Sequence, residues 1–312
     1  MKNCANGHSA EAISSDKIPV VHPFLLHNGD IRHTTEAVLS PGQVGFLNGW
    51  GVFTTMRVSG GVLFAYERHY KRMQQDAERL RVPFDISALQ LETQLLALVE
   101  ANRAFDATLR VAVVRNRGGL FEAPNLTRDV DLVAFTADRA NWGSGVKLSY
   151  VPHGRYAASP FAGAKVTSWA QNLTWYEEAH ERGFDEVILL NEHGEISECT
   201  SANIFVIQED SIWTPPIATS GCLPGVTRAV LLEEIQVPGL TIGERNLTPC
   251  EVENSDQVFI TSTTRDLLPV LEIDHEPLAQ CPHVLEPLTR AFVEYRAAYT
   301  TARGRRNKIF AA

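Results

Sequence analysis

The segment "FAGAKVTSWAQN" places Lys165 among small and apolar neighbours, in a chain with six lysines against twenty-two arginines. An amine in apolar surroundings is poorly solvated as a cation, so a lone lysine there invites a chemical explanation. A lysine that snorkels to a solvated face is the alternative on residue type alone. Further along, "GEISECTSANIF" puts Glu198 at the end of a strand-like run followed by small polar residues, although a plain turn carboxylate also satisfies that sequence. "CLPGVTRAVLLEE" turns through Pro224-Gly225 into a helix whose first amides, Val226 and Thr227, lack intrahelical partners, and such amides attract phosphate. "FITSTTRDLLPV" offers Thr261, Ser262, Thr263 and Thr264 after a buried-looking strand, as an anion-wrapping turn or an ordinary polar one. An amine, a carboxylate and two anion-binding turns therefore follow one another in the second half of the chain.

Rigid elements must hold these groups. "VFTTMRVSGGVLFAYERH" reads as a hairpin turning at Ser59-Gly60-Gly61. "HYKRMQQDAERLRV" spaces Met73, Ala77 and Leu80 as one helix face, and "SALQLETQLLALVEAN" predicts a second amphipathic helix after Pro83. Two β-rich runs, "ATLRVAVVRNRGG" and "VDLVAFTAD", follow. A second sheet is expected from "VKLSYVP", "DEVILL", "EISECTSANIFVI" and "DQVFITST", with helices at "NLTWYEEAHERG" and "TRAVLLEEI". The class is α/β. A length of 312 residues suggests about two domains. The expected division is a flexible arm over 1–17, a small N-terminal domain over 18–138, a linker at 139–144 and a larger domain over 145–312. The basic end "RGRRNK" reads as a solvated tail.

A net charge of -9 removes the positive footprint that nucleic-acid binding requires. The first residues contain no continuous apolar stretch of the secretory type, and no later run approaches a membrane span, so a cytoplasmic protein is expected. The five cysteines form an odd, widely spaced set and the histidines are scattered, which gives no support for a metal site.

Taken in order, "GVFTTMRVSGGVLF", the His69-Tyr70-Lys71-Arg72 run, Lys165 with "EEAHERGFDEVILL", "GEISECTSANIF", "LPGVTR" and "TSTTRDLLPV" are a specific combination. Over about residues 45 to 275 the chain resembles the class IV pyridoxal-phosphate-dependent aminotransferases, the fold shared by branched-chain and D-amino-acid aminotransferases and aminodeoxychorismate lyase. The resemblance implies that Lys165 forms the internal Schiff base with pyridoxal 5'-phosphate and then moves the proton at the substrate α-carbon. It assigns Glu198 to the ring nitrogen, and Arg72, Val226, Thr227, Thr263 and Thr264 to the phosphate, with Ser201 and Leu223 also at the cofactor. Phe53, Thr55, Arg57, Arg115 and Arg117 are the expected substrate-pocket residues. The residues after the lysine, Val166-Thr167-Ser168-Trp169, replace the family's Gly-Asn-Tyr run and leave the partner of the ring oxygen open. The implied activity is amino-group exchange between an amino acid, branched-chain-like or D-configured, and a 2-oxo acid, by a homodimer. The alternatives are aminodeoxychorismate lyase activity and a non-catalytic binder of a phosphate ligand.

Overall fold

A computed structural model of the chain describes residues 19–37, 43–119 and 126–310. The expected arm over 1–17 lies outside these residues. Among the described residues, two sheets dominate. The first is antiparallel throughout, in the order β2-β1-β6-β5-β3-β4. Its strands are β1 Val21–His27, β2 Asp30–His33, β3 Gly51–Ser59, β4 Val62–Leu63, β5 Asp106–Arg115 and β6 Val130–Ala137. The second is mixed, with strands β7 Val146–Val151, β8 Glu186–Leu190, β9 Ile196–Cys199, β10 Asn203–Gln208, β11 Ser211–Thr214, β12 Thr241–Glu244, β13 Gln257–Ser262, β14 Asp266–Ile273 and β15 Glu276–Pro277. The helices are α1 Val44–Asn48, α2 Tyr66–Arg79, α3 Ala88–Ala101, α4 Ala170–Glu181, α5 Ile217–Ser220, α6 Val226–Glu233, α7 Pro249–Glu253 and α8 Pro282–Phe310.

The two-residue period of a strand decides which side chains reach the site. On β3 and β5 one face carries Val52, Met56 and Val58 beside Leu109, Val111 and Val113, and it packs on α2 and α3 through Tyr66, Met73, Leu91, Leu95 and Leu98. The opposite face therefore presents Phe53, Thr55 and Arg57 with Thr108, Arg110 and Ala112, towards the second sheet. The second sheet wraps its own core, in which Leu148, Ile188, Ile196, Ile204, Ile260 and Val270 are fully buried. The run "EISECTSANIFVI" is two strands rather than one. Glu186 at the start of β8 breaks it, taking Thr200 N–H at 3.3 Å and the Thr200 and Ser201 hydroxyls, which folds residues 200–202 into a turn.

The run "RGRRNK", expected as a solvated tail, is helical, since α8 continues through it to Phe310. The helix straps the two sheets together. Phe292 packs edge-on against Phe64 at 6.1 Å, Tyr299 donates to Glu67 on α2 at 2.6 Å, and Arg303 grips both Glu92 oxygens on α3 at 3.0 Å. Replacing Phe292, which is 1% exposed, leaves a cavity between strap and sheet. Phe292→Ala is expected to lower unfolding free energy by about 3–5 kcal/mol in a urea titration.

Candidate active site

The segment that carries Lys165 is zipped onto the free N-terminal edge of β3. Phe53 N–H donates to Lys165 O at 3.0 Å and Thr167 N–H donates to Gly51 O at 2.9 Å, forming a single antiparallel bridge between Val52 and Val166. The Thr167 and Ser168 hydroxyls add bonds to Gly49 O at 2.8 and 2.7 Å. Glycine suits this closeness, because a Cβ on Gly49 would sit 2.6 Å from Ser168 Oγ and one on Gly51 2.9 Å from Thr167 Oγ1. The lysine is thereby aimed into a cavity of about 410 Å³ between the two sheets.

Lys165 is partly accessible through the cavity, yet protein surrounds the amine itself. Desolvation, then Arg72, push its pKa down to about 7, with Arg110 adding to this and Glu198 and Asp76 opposing it. Lys165 Nζ lies 4.7 Å from the Phe53 ring centroid. Burial also pushes Arg72 down, to about 10, so its guanidinium still carries charge at neutral pH. His69 beside it is held neutral, pushed well below its usual range by burial and then by Arg72 and Lys165.

Arg72 is the centre of an anion cradle. Its guanidinium donates to Thr54 Oγ1 at 2.9 Å and to Pro224 O at 3.3 Å, which places it at the start of α6, while its buried Nε has no partner. Gly225 caps that helix without a side-chain bond, so the amides of Val226 and Thr227, both cavity-lining residues, lack intrahelical partners. A Cβ at Gly225 would lie 2.0 Å from Asn203 Oδ1, so only glycine allows this turn. Thr263 and Thr264, at the turn between β13 and β14, complete the wall. Glu198 lines the same cavity. Arg155 Nε donates to its Oε1 at 3.0 Å and Leu223 N–H donates to its Oε2 at 3.0 Å, which fixes the carboxylate and offsets its charge.

The structure brings together Lys165, Arg72, Glu198, Val226, Thr227, Thr263 and Thr264, with Phe53 and Thr55. Ser201 and Leu223 also line the cavity, but Ser201 hydroxyl donates to Glu186 at 2.7 Å and receives Arg265 at 2.8 Å, while Leu223 N–H is spent on Glu198. Ser201 is thus a brace for the wall.

Three expected pocket residues lie elsewhere. Arg57 points away from the cavity to Asp266 at 3.1 Å and Asp106 at 3.6 Å, joining the sheets. Arg115 stacks on Trp50 at 4.3 Å and donates to Arg117 O and Arg81 O, and Arg117 pairs with Asp129 at 3.5 Å.

The sequence reading passed over Arg110 and Arg155. Arg110 stands opposite Thr55 in the β3–β5 register, lines the cavity and lies 3.9 Å over the Phe53 ring, with no carboxylate paired to it among the described side chains. Its charge is poorly solvated, and burial lowers its pKa. A cation in this position is a ready partner for a ligand carboxylate.

A buried low-pKa amine, a braced carboxylate and a helix-start anion cradle in one cleft are groups suited to carbonyl chemistry on an anionic ligand. A sequence profile described as amino-transferase class IV matches residues 51–273, and the chain belongs to that family and is an enzyme of it. It is 28% identical to the D-alanine aminotransferase of Bacillus licheniformis over 258 residues, covering 81% of this chain and 89% of that protein. It is 26% identical to a putative branched-chain-amino-acid aminotransferase of Methanocaldococcus jannaschii over 277 residues, covering 87% and 96%. Its fold matches the crystal structure of the Escherichia coli branched-chain amino acid aminotransferase at a TM-score of 0.80 and 22% identity, over 88% of this chain and 94% of that one.

The amine is protonated below its pKa and nucleophilic above it. In cofactor-free protein, modification of Lys165 by an amine-directed reagent should rise through a midpoint near pH 7, read by mass spectrometry of the peptide, as its pKa of about 7 requires.

Proposed function

We propose that the cavity holds pyridoxal 5'-phosphate and that the enzyme exchanges an amino group between an amino acid and a 2-oxo acid. The carrying observation is that Lys165 and the Arg72 cradle open into one cleft. An anionic phosphate fits the unpartnered Arg72 Nε and the uncapped start of α6, so the residues present suit this group. When bound, it supplies an aldehyde and an electron-poor ring that absorbs charge from the substrate α-carbon.

The protein's own residues supply the rest. Arg72, the Val226 and Thr227 amides, Thr263 and Thr264 hold the phosphate. Glu198, fixed by Arg155 and Leu223, faces the ring nitrogen in this assignment. Lys165 Nζ, neutral above about pH 7, takes and returns the proton at the substrate α-carbon. Phe53, with Trp169 packed against it at 6.2 Å, excludes water from this position. Arg110 anchors a substrate carboxylate, supported by its place on the cavity wall and the lack of a paired carboxylate among the described side chains.

The donor in this reading is a branched-chain-like or D-amino acid, supported by what the similar proteins are named for. The proposal includes a small domain over 18–138, a linker and a large domain over 145–312, supported by a separate core in each sheet. It includes a homodimer, supported by exposed Phe46, Leu47 and Leu173, and keeps the cytoplasmic location expected from the sequence.

A screen of L- and D-amino donors against several 2-oxo acids tests the reading. Transfer is expected with a donor of one of these classes, and Lys165→Ala should abolish it while the fold persists. Arg110→Ala should raise the donor KM about 10- to 100-fold, the loss of one charge-assisted bond. Release of pyruvate and aminobenzoate from aminodeoxychorismate would establish the lyase instead. Cofactor bound with no turnover of any substrate would leave a phosphate-ligand binder.

A further inference from the structure

Asp76 is a carboxylate buried to 3% exposure that the chemistry above leaves without a role. On α2, His69, Arg72 and Asp76 follow one another at spacings of three and four, which puts them on one stripe of the helix. Arg72 reaches from this stripe to the start of α6. Asp76 reaches from it to the lysine segment, where its Oδ2 accepts the Lys165 backbone N–H at 3.2 Å. One rigid helix face therefore sets both the anion cradle and the backbone of the reactive amine.

The charges around the two groups give Asp76 a second task. Lys165 is faced by Arg72 and Asp76 from α2, Arg110 from β5 and Glu198 from the end of β9, with His69 held neutral nearby. Glu198 is already bonded to Arg155. Asp76 is itself faced by Arg72, Arg79 and Lys165. It also exerts the largest carboxylate field on Arg72, whose own hydrogen bonds go to a hydroxyl and a carbonyl. Removing Asp76 would leave the amine between two guanidiniums with a single, committed carboxylate.

Building on the proposed function, we propose that Asp76 is a positioning residue that fixes the Lys165 backbone in register with the Arg72 cradle and supplies the counter-charge to Arg72 and the amine it faces. The carboxylate favours the ammonium form, so its loss moves deprotonation to lower pH.

The test uses full-length, cofactor-free protein and follows the pH dependence of Lys165 modification, beside a titration with pyridoxal phosphate. Asp76→Asn keeps an oxygen acceptor but not the charge, and should lower the Lys165 midpoint by at least roughly half a pH unit. Asp76→Ala should show the same shift and bind pyridoxal phosphate several-fold more weakly than Asp76→Asn. Asp76→Glu should retain the wild-type midpoint. Circular dichroism establishes that folded variants are compared, and Asp76→Ser replaces any neutral variant that does not fold. A wild-type midpoint in the neutral variants would overturn the proposal. Wild-type protein that captures no pyridoxal phosphate would instead overturn the proposed function, while the midpoint shift still reports on Asp76.

Discussion

Desolvation of one amine is the constraint on which the rest of the structure depends. A lysine on a surface is a cation at neutral pH and a poor nucleophile. Lys165 is kept from water by Phe53 and the surrounding walls and repelled by Arg72 and Arg110, which brings its pKa to about 7. Those two guanidiniums also set the limits of the site, one at the helix start that suits a phosphate and the other above the Phe53 ring, open to a carboxylate.

Holding such an arrangement is costly, since each buried charge loses hydration. The fold offsets that cost by satisfying the supporting groups. Glu198 has Arg155 and a backbone amide, and Glu186 has Arg265 with the Thr200 and Ser201 hydroxyls. Arg265 is stacked on Trp142 at 3.9 Å. The second sheet's side of the cavity is thus lined by hydrogen-bonded polar networks. The single bridge of residues 165–167 to β3 and the α8 strap then fix the two sheets about the cleft.

Much of this was legible in the chain. The β3–β4 hairpin, α2, α3 and the helix starting at Val226 follow from local period and turn residues, and Lys165 and Glu198 stood out by type and by order, whereas Arg72 came only from the resemblance. The β1–β2 hairpin was passed over although Asn28-Gly29, both at positive φ, is a strong hairpin signal. What could not be read locally depends on pairing between distant residues. Arg110 matters because it lies opposite Thr55, and Asp76 because Lys165 returns to α2. Arg57 is withdrawn from the pocket by Asp266, which sits just beyond the threonine turn in sequence but across the sheets in space. Nothing in the local pattern of "HVLEPLTRAFVEYRAAYTT" reveals that its helix will clamp Glu67 and Glu92.

The central claim, a single amine made reactive beside an anion cradle, is tested most directly by borohydride treatment of the protein saturated with pyridoxal phosphate, followed by peptide mapping. The account predicts loss of the yellow colour and cofactor mass on the peptide that contains Lys165. Cofactor recovered intact after reduction, or attached at another lysine, would contradict it.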